Sequence, residues 1–214
     1  MIKFLEKLLD FIFCRRCYLC KNSDENLLVC SKCFSKIPKN KLQKYVNDKT
    51  GIEFYASGIY KDELKLLIRG LKFHNQKEIA KYIAQFMYEY WKSLNIKNEN
   101  YKIIAVPQYE KTKKPYNHAQ EIAKEFAKLA NYECDFDLIK RIKKTKPQYK
   151  LNYQERIKNL EGAFKLNKTI ENDVTYIIID DIITTSSTIN QMQKTLNTDK
   201  NIVFCTSMSE VYIK

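Results

Sequence analysis

The 214-residue chain alternates between two hydrophobic periods, and the order of that alternation predicts an α/β fold. Ile2, Leu5, Leu8, Leu9 and Ile12 fall at helical spacing and predict a short amphipathic helix over residues 2–12. A strand-like run from Ile52 to Tyr60 leads into helical patterns from Asp62 to Phe73 and from Gln76 to Leu94. Beyond them, strands predicted at Lys102 to Val106, Phe136 to Arg141, Val174 to Ile179 and Ile202 to Ser207 alternate with helices at Asn117 to Leu129, Tyr153 to Leu160 and Ser187 to Leu196. Short apolar runs interleaved with amphipathic helices specify a parallel sheet with flanking helices. Ligands of such sheets sit at the carboxyl ends of the strands. Residues 141–159 depart from the pattern: they are rich in Lys and Arg, with Pro147 and Gln148 in the middle, and read as a loop carrying one polar helix.

Cysteine placement adds a second unit. Five of the seven cysteines lie between residues 14 and 33, while Cys134 and Cys205 stand alone. Cys17-Tyr-Leu-Cys20 and Cys30-Ser-Lys-Cys33 are two C-x2-C knuckles, and each such turn delivers two thiolates to one ion. The spacing predicts a small N-terminal zinc ribbon in which Cys17, Cys20, Cys30 and Cys33 close a structural Zn2+ site. Cys14 begins an iron–sulfur-like spacing, but Lys-Asn-Ser-Asp follows Cys20 where a fourth cysteine and a proline are required, which leaves Cys14 a spare thiol or an alternative ligand. The expected division is residues 1–48 for the helix and ribbon and 49–214 for the α/β domain.

Thiolates kept free for metal imply a reducing compartment. Glu6 and Asp10 interrupt the apolar N-terminus, so it does not read as a secretory signal, and no run approaches the ~20 apolar residues of a membrane span. A soluble, cytoplasmic protein is expected, with no transmembrane segment. Lys and Arg flanking the 2–12 helix leave a peripheral contact with a membrane surface open.

Composition supports a folded chain with polyanionic partners. Hydrophobic residues make up 44% and aromatics 13%, enough for a core, while 4 Gly and 4 Pro exclude a fibrous or low-complexity protein. Lys+Arg number 38 against 25 Asp+Glu, a net charge of +13. The excess is local: residues 1–50 carry 11 basic and 5 acidic side chains, 101–168 carry 16 and 8, and 169–214 carry 3 and 6. The C-terminal quarter is therefore acidic.

Within that quarter lies Tyr176-Ile-Ile-Ile-Asp180-Asp181-Ile-Ile-Thr184-Thr185-Ser186-Ser187-Thr188. A buried strand runs into two adjacent carboxylates and then into a hydroxyl-dense turn that opens a helix. N–H groups and hydroxyls at a helix start can cradle a phosphate, and two acids just upstream can accept hydrogen bonds from a vicinal diol. A ribose 5-phosphate meets both demands. The plainer alternative is a strand ending at Asp180 and Asp181 with Ser187 or Thr188 as a helix cap.

This stretch resembles the 5-phosphoribosyl-1-pyrophosphate (PRPP) motif of the type I phosphoribosyltransferases: a hydrophobic strand, two acids, two apolar residues and a Thr-Thr-Gly turn. Ser186 stands where that motif has glycine. A side chain in left-handed geometry costs roughly 1–2 kcal/mol, which predicts a weakened or remodelled phosphate cradle.

The order of features narrows the resemblance. The four-cysteine ribbon is followed by Leu71-Lys72-Phe73, Ala105-Val106-Pro107, Tyr116-Asn117 with Ala119, then Arg141, Thr145, Gln148, Arg156, Asn159 and Phe164 ahead of the paired aspartates. Over nearly its whole length the chain is similar to the ComF family, competence-associated proteins that join a zinc ribbon to a phosphoribosyltransferase-fold domain. The resemblance implies a type I phosphoribosyltransferase-like parallel sheet. It implies that Val106, Pro107 and Gln108 with Tyr109 form the pyrophosphate loop, that Arg141 through Asn159 form a loop closing over the site, and that Lys72 contacts ligand. Asp180 and Asp181 would hold the ribose hydroxyls, and Thr184, Thr185, Ser186, Ser187 and Thr188 the 5-phosphate, with Mg2+ accompanying PRPP. Lys114-Pro115-Tyr116-Asn117-His118 replaces the family's basic-Gly-Phe-Asn-Gln run.

Bland alternatives accompany several of these residues. Lys72 also fits a solvated helix face, Arg156 and Asn159 fit bracing of the loop, and His118 and His74 read as surface residues. Lys111, Lys113, Lys114 and the lysines from 140 to 150 suggest an anion-binding surface, and Tyr109, Tyr116, Tyr149 and Tyr153 interleave with them as a single-strand binder requires. The family's association with natural transformation implies handling of incoming single-stranded DNA, beside other DNA-uptake proteins at the inner face of the membrane. Phosphoribosyl transfer from PRPP to an acceptor is the alternative. The sequence identifies no base for such a transfer and no acceptor.

Overall fold

The apolar run Tyr176–Ile179 is buried on both faces, which is the condition of a central strand in a helix-covered sheet. The computed structural model describes residues 15–23, 25–96, 100–112, 114–145, 151 and 153–210. The expected 2–12 helix, Cys14, Lys113, Pro147, Gln148 and Tyr149 lie outside the described residues, as does the side chain of Tyr153.

The strands are β1 (Tyr45–Val46), β2 (Glu53–Ile59), β3 (Tyr101–Ala105), β4 (Glu133–Cys134), β5 (Ile139–Arg141), β6 (Phe164–Leu166), β7 (Thr175–Ile183) and β8 (Asn201–Met208). The helices are α1 (Ser31–Ser35), α2 (Asp62–Phe73), α3 (Ile79–Ser93), α4 (His118–Ala130), α5 (Tyr153–Leu160) and α6 (Ser187–Leu196). The main sheet has the order β1-β2-β8-β7-β3-β4. Neighbours from β2 through β4 pair in parallel, and β1 joins the edge antiparallel to β2. It is a mixed α/β sheet with β7 at its centre.

Side-chain alternation along β7 assigns the two layers. Ile177 and Ile179 join Ile103 and Phe204 beneath α2, α3 and α4. Ile178 joins Ile104 and Val203 on the opposite face, with Leu160 of α5 and Ile189, Met192 and Leu196 of α6. Buried ribbon residues Cys17, Val29, Cys30, Cys33 and Ile37 pack into the α2–α4 layer. Among the described residues no helix is long and apolar enough to cross a membrane.

One strand departs from expectation. The apolar run Phe136 to Arg141 reads as a parallel strand, yet the main-sheet neighbour of β3 is Glu133–Cys134, and Ile139–Arg141 instead pairs antiparallel with Phe164–Leu166. The physical reason is a turn at Asp135. Its N–H makes the last sheet bond, to Ile103 O at 2.9 Å, and its Oδ1 then accepts the Asp137 N–H at 3.0 Å, folding the chain out of the sheet. Residues between β5 and β6 consequently form an excursion whose ends meet where Ile142 N donates to Ala163 O at 2.9 Å.

Contact between ribbon and α2 is tight at Gly70. A Cβ there would lie 2.8 Å from Tyr18 Cζ and 2.6 Å from Ile79 Cδ1. Gly70→Ala gains helix propensity, but overpacking against a ring costs about 1–3 kcal/mol. The variant is expected to melt earlier, by about 2–4 °C for each kcal/mol lost, in thermal denaturation; an unchanged or higher midpoint would show that Tyr18 is not seated on α2.

Candidate functional site

In the ribbon, the sulfurs of Cys17, Cys20, Cys30 and Cys33 all lie within 4.8 Å of one another. Tetrahedral Zn–S bonds of about 2.3 Å place sulfurs roughly 3.8 Å apart, and the Cys20 and Cys30 Sγ atoms are 3.7 Å apart. Burial acts to raise the Cys17 thiol, yet backbone N–H groups of Cys20, Cys30 and Leu19 directed at its sulfur bring it down to about 6. Burial and the neighbouring thiols push Cys33 up to about 12. One sulfur set to ionise beside another that resists it is a conflict that a divalent cation resolves by deprotonating all four. The donor set suits a structural zinc.

The second cluster lies at the carboxyl end of β7. Alternation sends Asp180 and Asp181 to opposite faces. Asp181 enters the α2–α4 layer, where it is 3% exposed, and its Oδ2 meets Lys72 Nζ at 2.8 Å and His118 Nε2 at 2.8 Å. Lys72 arrives from the last turn of α2 and His118 from the first residue of α4. Burial acts to raise the Asp181 carboxyl, but Lys72 and then His118 hold it well below the usual carboxylate range. Burial lowers and Asp181 raises the Lys72 ammonium, with a net upward shift. The pair is therefore ionic.

Asp180 lies on the opposite face, half-buried, with its Oδ1 accepting the Asp181 N–H at 2.9 Å. Burial and repulsion from Asp181 push its carboxyl up to about 7, against the opposing pull of Lys72 and Arg141. Asp180 shares a small recess with Ile182, Ile183 and the 184–189 turn. In that turn the Thr185 and Ser187 hydroxyls are 3.0 Å apart, and Ser186 caps α6 at φ 56°, its carbonyl accepting the Asn190 N–H at 2.8 Å. The Ser186 Oγ is buried and accepts a bond from Asn47 Nδ2 at 2.8 Å.

The remaining residues expected at the site gather in a cavity of about 200 Å3 on the other side of β3. Pro107, Gln108, Glu110, Phe136, Lys140 and Arg141 are among its lining. The Val106 side chain belongs to the core, while its carbonyl accepts from Asn117 Nδ2 at 2.9 Å. Burial draws the Arg141 guanidinium down, and Asp180 partly offsets this. Arg141 also donates to Thr145 Oγ1. Arg156 Nε bonds the Leu151 carbonyl at 3.0 Å, bracing the 142–163 excursion.

Two expectations change. His118, read as a surface residue, is a direct partner of Asp181, because the α4 N-terminus abuts the end of β7. Lys72, read with a solvated alternative, is likewise drawn into that ion pair. Asn47 was not singled out by its sequence; only the folded register brings it to Ser186. His74 is exposed yet bonded, its Nδ1 lying 2.6 Å from the Tyr18 hydroxyl. Tyr116 is also engaged, donating to Leu71 O at 2.6 Å.

No family model matches the chain. It is 30% identical over 148 residues to Competence protein F of Haemophilus influenzae, an alignment that covers 65% of this chain and spans 64% of the length of that protein. It is 25% identical over 175 residues to the DNA utilization protein YhgH of Salmonella typhimurium, with 79% of this chain and 71% of that protein covered. Against YhgH of Escherichia coli K12 the identity is 23% over 193 residues, covering 87% and 78%. A solved adenine phosphoribosyltransferase from Thermoanaerobacter pseudethanolicus is similar with a TM-score of 0.41 and 13% identity, covering 79% of this chain and 85% of that one, too loose a likeness to assign a fold.

Metal analysis of gently purified protein is expected to give one zinc per chain, and Cys30→Ser to lose it; less than about half an equivalent would argue against a structural ion. The aspartates predict opposite pH effects. Asp180 has a raised pKa in the fold, so its stabilising contribution is complete below the ordinary carboxylate value near 4 and is lost as pH rises to about 7. Asp181, whose pKa is lowered, contributes above that range and loses its contribution on acidification. Asp180→Asn is expected to raise the thermal midpoint at pH 8 and to change it little at pH 4. A lower midpoint at pH 8 would show that the fold favours the Asp180 carboxylate.

Proposed function

We propose that this chain, a homologue of the ComF/YhgH proteins, handles incoming single-stranded DNA in natural transformation and carries a PRPP site at the carboxyl end of β7. The reading takes the names of two relatives, a competence protein and a DNA utilization protein, as its guide to the process. It places the action in the cytoplasm, close to the DNA-uptake machinery at the membrane. The organisation proposed is a ribbon over residues 1–48 and a type I phosphoribosyltransferase-like domain over 49–214.

The observation that carries the PRPP site is the division of labour between the two aspartates. Asp181 is committed to Lys72 and His118, which leaves Asp180 beside the 184–189 turn to accept a diol. The turn's N–H groups and the hydroxyls of Thr184, Thr185, Ser187 and Thr188 would take the 5-phosphate at the start of α6. Pro107, Gln108 and Arg141 line the cavity across β3 and would face the pyrophosphate. Magnesium, when bound with PRPP, supplies charge neutralisation at the pyrophosphate. Asp180 is the carboxylate suited to hold it, since a cation lowers the cost of ionising a group held near pH 7.

A second reading, transfer of the phosphoribosyl group from PRPP to an acceptor, draws support from His118. An imidazole held through Nε2 by a buried carboxylate can accept a proton at its other nitrogen. The acceptor's nitrogen would bond to carbon 1 as pyrophosphate leaves, and its proton would pass to His118.

Asp180→Asn is the cleaner test, because altering Asp181 would strand Lys72 and His118. Thermal stabilisation by PRPP with magnesium is expected in the unaltered protein and absent in Asp180→Asn. No stabilisation of the unaltered protein would remove the PRPP site. Single-stranded DNA binding is expected to fall steeply with salt and to survive Asp180→Asn; binding that is absent or insensitive to salt would sink the DNA reading.

A further inference from the structure

We propose that the C-terminal end of α2 is a docking platform for one base of single-stranded DNA, with Phe73 as the stacking surface and Arg69 and Lys114 as flanking phosphate contacts. The proposal deepens the DNA-handling reading and rests on it. Phe73 is 65% exposed, the highest value among the exposed large hydrophobic side chains of the described residues and the single aromatic in that group. The Arg69 guanidinium lies 5.8 Å from its ring centroid, one helical turn back. A ring with a cation beside it offers a nucleotide stacking and phosphate neutralisation together.

Beside Phe73 a cavity of about 110 Å3 opens, lined by Lys72, Phe73, Lys114, Tyr116 and His118 among others. It is smaller than the ~300 Å3 of a drug-sized pocket and suits one planar ring. Lys114 makes no ion pair or hydrogen bond among the described residues. Burial and the nearby Lys72 draw its ammonium below the ordinary lysine value. An anion placed there would offset the repulsion between the two lysines.

The chemistry selects the ligand. PRPP has no aromatic ring to stack, and in a duplex the bases are already stacked on one another. A lipid surface would call for a broad apolar face, whereas Phe73 stands between cations. An unpaired nucleotide satisfies the ring, the cations and the cavity. Lys72 and His118 line the cavity and also hold Asp181, so the docked base would lie on the Asp181 face of β7, across the sheet from the proposed ribose site at Asp180.

The test measures binding of a dye-labelled oligothymidylate of about 16 nucleotides by anisotropy at low salt. Phe73→Ala is expected to weaken binding about 5- to 100-fold with an unchanged thermal midpoint, and Phe73→Trp to retain it. Trp91, the single tryptophan of the chain, is 6% exposed, so the longer-wavelength emission gained in Phe73→Trp reports on the exposed position 73 and should be quenched by unlabelled oligonucleotide. Lys114→Gln should reduce the salt slope by about 1. Equal affinity in Phe73→Ala, or emission from Phe73→Trp that saturating oligonucleotide leaves unchanged, would overturn the platform while leaving DNA binding itself intact. Failure of the unaltered protein to bind would instead overturn the DNA reading, and the platform with it.

Discussion

The Asp181 carboxylate is the point on which the molecule is assembled. It enters from the central strand, and its Oδ2 is shared by a lysine from α2 and a histidine from α4, both at 2.8 Å. Burying one charge in this way is tolerable only when its partners are buried with it. Removing one partner from such an arrangement costs about 3–5 kcal/mol, because a charge is left without compensation. Three elements distant in sequence are thereby held in register at the carboxyl end of the sheet. Among the described residues the clamp also leaves Asp180, on the opposite face, without a cation of its own at bonding distance, and two adjacent acids acquire opposite proton affinities.

The last turn of α2 is restrained from two further sides. Tyr18, inside the first cysteine knuckle, reaches His74 at 2.6 Å and packs over Gly70. Tyr116, in the segment leading into α4, donates to the Leu71 carbonyl at 2.6 Å. Lys72 lies within the turn these contacts bracket. The ribbon is thus mechanically linked to the residue that neutralises Asp181. Arg15, just before the first knuckle, adds a pair with Glu78 at 2.7 Å, although both side chains are exposed enough that it contributes little to stability.

What the sequence made legible was local. Amphipathic periodicity located α2, α3, α4 and α6 because each buries one continuous stripe, and the apolar run before Asp180 identified the central strand because it is buried on both faces. Two knuckles sufficed for the cysteine cluster because each is a self-contained turn. The strands at Glu133–Cys134 and Phe164–Leu166 were missed for the converse reason. They are two and three residues long, and their partners are chosen by the Asp135 turn and not by any period of their own. His118 reads as a surface residue and Asn47 carries no local signal, because nothing beside either residue in the chain marks its partner. Each acquires its role from a contact across 63 or 139 positions, His118 to Asp181 and Asn47 to Ser186, and such pairings are properties of the fold.

Ser186 shows how a local departure from a motif is accommodated. The backbone there is left-handed at φ 56°, a conformation in which a side chain is strained where glycine is not. The hydroxyl that glycine lacks accepts a bond from Asn47, in a buried setting where a net contribution of about 1 kcal/mol offsets much of that strain. Asn47 is itself fixed, since its Oδ1 accepts from the Lys49 and Thr50 N–H groups at 3.0 and 3.2 Å. The substitution therefore exchanges close backbone approach by a ligand at position 186 for a tether between the α6 turn and the β1–β2 connection. An anion at this turn would be held mainly by Thr184, Thr185, Ser187 and Thr188, because the Ser186 side chain faces inward and is already bonded. The one side chain that a glycine would not supply has thus become part of the scaffold that holds the turn.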